Sequence, residues 1–159
     1  MDGDSGKAAD EEAVKWLRKA AEQGLPDAQF FLGVMHQNGR FFPESPEKAI
    51  EWLMKAAENG HAFAAIDIGM AYVKHTEENG GADYENAVKW FRKGAESGLP
   101  RAEIGLATMY FEGKGVEKDL EEAVKYFRRS AEKGNANAQF KIGLFYDEGD
   151  NLKESDKDA

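Results

Sequence analysis

The chain has 159 residues, with 30 acidic and 21 basic side chains and a formal net charge of −9. A negative surface repels phosphate backbones and anionic headgroups, which argues against nucleic acid and anionic membrane surfaces as partners. Cysteine is absent, which excludes disulfides, thiolate nucleophiles and cysteine metal sites. No stretch of about 20 apolar residues occurs, so no transmembrane helix and no direct membrane insertion are expected.

The two ends of the chain differ from its middle. The start, MDGDSGKAADEEAVKW, has no basic region followed by an apolar stretch, so no signal peptide is visible. Together with the lack of cysteine, which fits a reducing compartment, this predicts a cytoplasmic location. Residues 1–9 and 150–159 are polar and charged. Because they have little apolar surface to offset ordering entropy, both segments are expected to be disordered.

A segment of about twenty residues occurs four times between these ends. The copies are AVKWLRKAAEQGLPDAQFFLG from Ala13, AIEWLMKAAENGHAFAAIDIG from Ala49, AVKWFRKGAESGLPRAEIGLA from Ala87 and AVKYFRRSAEKGNANAQFKIG from Ala123. Their starts are 36, 38 and 36 residues apart. Repetition at this spacing is typical of a solenoid, in which each unit buries its apolar face against its neighbours.

Each copy reads as two helices joined by a short turn. In the first helix of the first copy, apolar residues recur at i, i+3, i+4, i+7 and i+8, which places them on one face; they are Ala13, Trp16, Leu17, Ala20 and Ala21. A glycine ends this helix in all four copies, and a short turn makes the two helices antiparallel neighbours. The predicted helices cover residues 10–23, 26–38, 46–59, 62–75, 84–97, 100–112, 120–133 and 136–148.

The side chains at the helix ends and on the helix faces carry further predictions. Ser45, Asp83 and Asp119 are expected to cap helix N-termini. The tryptophans of the first three copies are expected to be buried against glycine or alanine of the second helix, where small residues allow close approach. These tryptophans are Trp16, Trp52 and Trp90.

The repeated residues also resemble a known family. AQFFLGVMHQNG followed by AIEWLMKAAENG, and AEIGLATMYFEGKGVEKDLEEAVKYFRRSAEKG at residues 102–134, resemble the Sel-1-like repeat, a relative of the tetratricopeptide repeat. The resemblance covers about residues 10–149. It implies one all-α domain, a right-handed α-α superhelix (solenoid) of about eight antiparallel helices in four repeats. It also implies an adaptor that holds other proteins in a complex.

By the same resemblance, the second helix of each copy lines the concave groove and would contact a protein or peptide partner. The partner-binding positions are Phe30, Val34, Gln37, Phe63, Ile66, Met70, Val73, Ile104, Thr108, Phe111, Phe140 and Leu144. An exposed apolar strip of this kind marks a site for a peptide or an amphipathic helix. The alternative role for each position is packing between the second helices of adjacent copies. A monomer is expected.

Two other functions stay open at this point. One is a hydrolase of the β-lactam-binding kind, as reported for cysteine-rich secreted relatives, and the other is a structural spacer in a larger assembly. The groove positions hold no histidine, cysteine or serine, and no two of the three histidines are four residues apart on a helix. The sequence therefore predicts no enzyme activity, no cofactor and no metal site.

Overall fold

The computed structural model describes residues 3–80 and 83–147. In these residues all regular secondary structure is helical. The helices are α1 (Gly3–Glu22), α2 (Pro26–Gln37), α3 (Pro46–Glu58), α4 (Ala64–Asn79), α5 (Tyr84–Glu96), α6 (Pro100–Glu112), α7 (Leu120–Glu132) and α8 (Ala136–Asp147). The C-terminal segment 150–159, expected to be disordered, lies outside the described residues.

Two helices are longer than the sequence predicted. Helix α1 begins at Gly3 rather than at residue 10, so residues 3–9 are helical where disorder was expected. Lys7, Ala8 and Ala9 favour this extension, because lysine and alanine are among the best helix formers. Helix α4 continues past the predicted end at residue 75 to Asn79, and the Gly80 N–H donates to the Thr76 carbonyl at 2.9 Å.

The helix ends follow the predicted signals. The Ser45 hydroxyl accepts a hydrogen bond from the Lys48 N–H at 3.3 Å, and the Asp119 carboxylate accepts one from the Glu122 N–H at 3.0 Å. These contacts confirm two of the predicted N-caps. The glycines after α1, α3, α5 and α7 have φ between 77° and 91°. Only glycine adopts this conformation without a steric cost, so each of these turns can be short.

The chain forms two compact units, Met1–Trp90 and Phe91–Ala159. In the first unit α2 packs against α1 and α3, and α4 packs against α3 and touches α2. Its core centres on Leu53 and Ile68, both fully buried. In the second unit α7 packs against both α6 and α8, and Phe127 is the largest side chain of a buried cluster with Ala107, Ala123 and Ala138.

A helical glycine allows two helices of the first unit to approach closely. A Cβ atom added to Gly33 would lie 2.6 Å from Cγ of Leu53. The structure therefore confirms that the small residue allows close approach, but the side chain that fills the space is Leu53 rather than the predicted tryptophan. Leu53 lies beside Trp52 in sequence but belongs to a different cluster, because consecutive helical residues point about 100° apart.

The three tryptophans are not equally buried. Trp52 and Trp90 are half-buried, and Trp52 packs against the cluster of Ala21, Ala28 and Leu32. Trp16 is 59% exposed, and its Nε1 donates to the Glu12 carboxylate at 2.9 Å. The prediction of burial is therefore wrong for Trp16, because no described helix covers the outer side of α1.

Candidate protein-binding surface

Helices α2 and α4 place apolar side chains on the surface of the first unit. Phe63 is 56% exposed and Met70 is 43% exposed. Positions seven residues apart lie on the same face of a helix, so Phe63 and Met70 share the face that Val73 continues. Val34 and Phe30 are half-buried on the neighbouring α2. We call the surface formed by Phe30, Val34, Phe63, Met70 and Val73 the α2–α4 strip.

Aromatic rings meet at one end of this strip. The Phe30 ring stacks on the His61 imidazole with centroids 3.9 Å apart, and His61 meets the Phe63 ring edge-on at 6.3 Å. Phe31 approaches Phe30 edge-on at 6.2 Å and is itself exposed. Oδ1 of Asp27 lies 3.8 Å from Nε2 of the His61 imidazole. The turn residue His61 therefore fixes the orientation of the aromatic end.

Sequence reasoning missed His61 and Phe31 as members of this cluster. The signal for His61 was weak, because it follows the turn glycine, where the other copies carry Leu25, Leu99 and Asn135. Only the fold shows that this turn position contacts Phe30 and Asp27 on α2.

Charged and polar groups close the other end of the strip. The Lys74 ammonium group donates to the Gln37 carbonyl at 3.5 Å and pairs with the Glu44 carboxylate. Glu78 lies 3.9 Å from the same ammonium group. Lys74 therefore ties α4 to the end of α2 and to the loop that follows it. Two carboxylates surround one ammonium group, so this end of the strip has an acidic excess.

Two residues predicted for the groove are not on the surface. Gln37 and Ile66 are buried, so neither side chain is accessible to a partner. Ile66 lies on α4, which packs against α3 and touches α2. Residues 64–66 are consecutively buried as a result, and the exposed face is narrower than the periodicity suggested.

The predicted positions in the second unit are exposed to different degrees. Ile104 and Thr108 are half-buried, and the Thr108 hydroxyl donates to the Ile104 carbonyl at 2.9 Å. Phe111 is exposed and meets Phe145 edge-on at 5.5 Å. Phe140 and Leu144 are exposed on α8. Apolar contact surface is thus present in this unit too, with Thr108 turned back onto its own helix.

The described residues offer no site for metal chemistry or for a membrane span. Within residues 3–80 and 83–147, no cluster of three or more histidine or acidic side chains has the geometry to bind a metal ion. No described helix combines the length and the hydropathy needed to cross a bilayer. His36 is buried in a stack on Phe42, with centroids 4.4 Å apart. His75 instead lies between two carboxylates, 2.8 Å from Asp83 and 3.5 Å from Glu47.

Paired helices joined by turn glycines define an α-α repeat protein. The Sel1 repeat family matches residues 1–25, 26–61, 62–99, 100–135 and 136–159. The chain belongs to the Sel1 repeat family. The predicted fold class, an all-α solenoid of helix pairs, is confirmed. Proteins of this family are generally scaffolds for protein interaction and are typically non-enzymatic.

Solved structures support the same assignment. One is a protective antigen present in uropathogenic Escherichia coli strains, which displays an SLR fold. It is 37% identical in sequence to this chain, and the two structures superpose with a TM-score of 0.75. The match covers 86% of this chain and 29% of the antigen chain. A Sel1 repeat protein from Oxalobacter formigenes is 32% identical with a TM-score of 0.75, over 87% of this chain and 55% of its own. The chain thus spans less than two thirds of either protein. No curated protein matches the sequence.

A more distant structure shares the fold alone. The cysteine rich protein B of Helicobacter pylori is 20% identical in sequence to this chain, with a TM-score of 0.56. The match covers 79% of this chain and 93% of the Helicobacter pylori chain.

Proposed function

We propose that the chain is an interaction scaffold whose α2–α4 strip binds an amphipathic helix or peptide of a protein partner. The observation that carries this proposal is the exposure of Phe63, the N-cap residue of α4, and of Met70 on α4, at 56% and 43%. Large apolar side chains grouped on a surface mark contact sites. Methionine adapts to varied apolar partners because its side chain is flexible and polarisable.

The charges around the strip indicate the chemistry of the partner. Glu44 and Glu78 lie at one end beside Lys74, and Asp27 lies at the other end beside His61. The whole chain carries a net charge of −9. Complementary charge speeds encounter and selects partners. The partner segment therefore has apolar side chains on one face and lysine or arginine beside them.

The other two functions have less support. A spacer would have its inner apolar side chains packed shut, and the exposure of Phe63 and Met70 favours binding instead. A hydrolase has no support from the Helicobacter pylori likeness, which at 20% identity speaks only to the fold.

The test is a selection of helical peptides from a displayed library, followed by calorimetric titration. Met70→Glu should weaken binding of the selected peptides by about 2 kcal/mol, the scale of a hot-spot residue. Leu120→Glu is the matched control, because Leu120 is exposed to a similar degree on the second unit. Peptides that bind Met70→Glu as tightly as the unaltered chain would show that the strip is not the site. Selection of acidic rather than basic peptides would contradict the charge argument.

A further inference from the structure

The loop that joins α2 to α3 is held closed at both of its ends. The Arg40 N–H donates to the Met35 carbonyl, and the Ser45 N–H donates to the His36 carbonyl, each at 3.0 Å. Between these hydrogen bonds the Phe42 ring stacks on the His36 imidazole, with centroids 4.4 Å apart and ring planes inclined by 18°. This stack therefore holds the middle of the α2–α3 loop against the end of α2.

One residue of the α2–α3 loop has a backbone conformation that side chains rarely adopt. Phe41 has a φ of 67°, and within residues 3–80 and 83–147 no other non-glycine residue has a positive φ. A Cβ atom in this left-handed region crowds the neighbouring carbonyl oxygen, so the conformation costs free energy. Such strain persists only where the surrounding contacts hold it. The closed loop thus depends on its contacts, and loss of the ring stack would let the backbone relax.

His36 occupies a repeat position that carries tyrosine in the other three copies. These tyrosines are Tyr72, Tyr110 and Tyr146. In the third copy the Arg92 guanidinium group donates to the Tyr110 hydroxyl at 3.2 Å. The first copy keeps the arginine, as Arg18, but has a titratable imidazole in place of the phenol. The repeat therefore places a positive charge near a ring that can itself become positive.

The surroundings of His36 oppose a positive charge on its ring. The residue is 6% exposed, and its Nδ1 is buried with no hydrogen-bond partner among the described residues. A proton on Nδ1 would therefore make a buried donor without an acceptor, which is costly. Arg18 of α1 and Lys48 of α3 add their positive charges near the same ring.

Two groups act in the opposite direction. Glu51 of α3 brings a negative charge, and the Pro43 backbone hydrogen-bonds the imidazole. The unfavourable effects are larger. The pKa of His36 lies below its ordinary value of 6.5, first because of burial and then because of the charges of Lys48 and Arg18. The closed loop thus holds a neutral imidazole.

We propose that His36 and Phe42 form a pH-sensitive latch, which keeps the α2–α3 loop closed at neutral pH and releases it in mild acid. The imidazole in an open loop is hydrated and binds a proton with its ordinary affinity, whereas the closed loop resists the proton. Proton uptake therefore favours the open loop. Release separates the Phe42 ring from His36 and lets Phe41 leave its left-handed conformation.

Release of the latch also changes the charges at one end of the α2–α4 strip. Glu44 belongs to the α2–α3 loop, and its carboxylate pairs with the Lys74 ammonium group while the loop is closed. An open loop withdraws Glu44 from Lys74. The latch is a property of the first unit alone, so it is measured with no binding partner present.

The size of the effect follows from the proton balance between the two forms. Between about pH 6.5 and the lower pKa of the closed form, the open form binds up to one more proton than the closed form. The equilibrium constant for opening therefore rises by up to about tenfold for each pH unit of acidification. Above this range both forms hold a neutral His36, and the constant no longer changes with pH.

Amide hydrogen exchange followed by NMR between pH 7.5 and pH 5.5 tests the latch. The Arg40 and Ser45 amides report on the loop, and the Leu53 amide, in the middle of α3, reports on unfolding of the unit. Each exchange rate is first divided by its intrinsic rate at that pH. Protection of the two loop amides should then fall at least about threefold below pH 6.5. Low concentrations of urea should speed exchange at Leu53 but not in the loop, because loop opening exposes little surface.

Two matched variants take their new residue from other copies of the repeat. His36→Tyr keeps a ring for the stack on Phe42 but does not titrate in mild acid, so the acid response of the loop amides should disappear. His61→Leu, the residue of Leu25 and Leu99, should keep that response. The imidazole resonances of the unaltered chain give a second measurement, and His36 should titrate with a midpoint below pH 6.5.

Four results would overturn the proposal. Loop amides that share the protection and the urea dependence of Leu53 would show that the loop opens only when the whole unit unfolds. Protection of the loop amides that stays constant from pH 7.5 to pH 5.5 would show that no release occurs. An acid response that survives in His36→Tyr would assign it to another group. A His36 midpoint at or above pH 6.5 would show that the closed loop does not resist the proton.

Discussion

The Lys133 ammonium group lies 2.7 Å from Oε1 of Glu103, a carboxylate whose side chain is wholly buried. Arg129 approaches the same oxygen at 3.0 Å, while Oε2 has no hydrogen-bond partner among the described residues. In the earlier repeat the equivalent pair is Gln29 and Asn59, with neutral amides at 2.8 Å. The fold thus keeps a polar link between α2 and the end of α3, and between α6 and the end of α7, but the link is neutral in one case and charged in the other.

Removal of this carboxylate should destabilise the second unit. Glu103→Ala breaks the link to both cations and leaves space in a buried position. We expect a loss of about 1–3 kcal/mol in the free energy of unfolding, the usual cost of a lost buried hydrogen-bonding group. Urea denaturation measures it. Glu121→Ala is the control, because Glu121 is exposed on α7. Equal unfolding midpoints for the two variants would contradict a structural role for Glu103.

Two glycines at one repeat position should respond oppositely to alanine. Gly33→Ala forces a methyl group to 2.6 Å from Leu53, and such overpacking costs about 1–3 kcal/mol. Gly143→Ala meets no described atom within 4 Å, so the better helix propensity of alanine should stabilise α8 by up to about 1 kcal/mol. Thermal melts in dilute solution compare the two variants. A gain in stability for Gly33→Ala would show that the close contact with Leu53 relaxes freely.

Two tryptophans at one repeat position should also differ. Trp52 packs against Ala21, Ala28 and Leu32, so Trp52→Ala should cost about 2–4 kcal/mol, near the lower part of the range for large core truncations. Trp16→Ala should change stability by no more than about 0.5 kcal/mol, as exposed substitutions do. Denaturant unfolding of dilute protein gives both values, and a similar cost at both sites would contradict the exposure of Trp16.

The exposure of Met70 predicts a tolerated charge. Met70→Glu should change the free energy of unfolding by less than about 1 kcal/mol, because a partly exposed carboxylate keeps its water. Ile68→Glu is the contrasting control, since Ile68 is fully buried on the same helix and an unpaired buried charge costs several kcal/mol. A single melting curve for each variant decides the matter. Collapse of Met70→Glu would remove Met70 from the strip.

His36 should make stability fall in mild acid. Burial is the main cause that lowers the pKa of His36 below 6.5, and the positive charges of Lys48 and Arg18 lower it further. The unfolded chain binds a proton more readily than the folded chain, so stability is full above about pH 6.5 and decreases as the pH falls towards the lowered folded-state pKa. Denaturation at pH 7.5 and at stepwise lower pH measures the loss. His36→Tyr, which places the side chain of Tyr72 and Tyr110 at this position, should reduce it.

Much of the local structure could be predicted because its causes are local. The repeat spacing, the N-caps at Ser45 and Asp119 and the turn glycines fix where the helices begin and end. These signals act within one or two turns, so they are readable in a single sequence. The predicted helix over residues 62–75 ended too early, since no residue between 75 and Gly80 stops a helix and α4 continues to Asn79.

The candidate site was only partly predictable. Phe63, Met70 and Val73 were identified from their position on the second helix of the copy, and the structure leaves each of them partly exposed. Gln37 and Ile66 came from the same periodicity and are buried. Position in a repeat fixes the direction in which a side chain points, but burial depends on which neighbouring helix lies in that direction.

The sequence by itself therefore determined the family, the helix pairs and the direction of each side chain within its repeat, because these depend on periodicity and on local turn chemistry. Only the tertiary structure decided which of two equivalent residues is covered. Trp16 and Trp52 occupy one position in the repeat, as do Gly143 and Gly33, yet among the described residues a neighbouring helix packs on Trp52 and Gly33 and none packs on Trp16 or Gly143. Burial is a property of contacts between elements, and a repeated motif looks the same in sequence whether or not a neighbour lies against it.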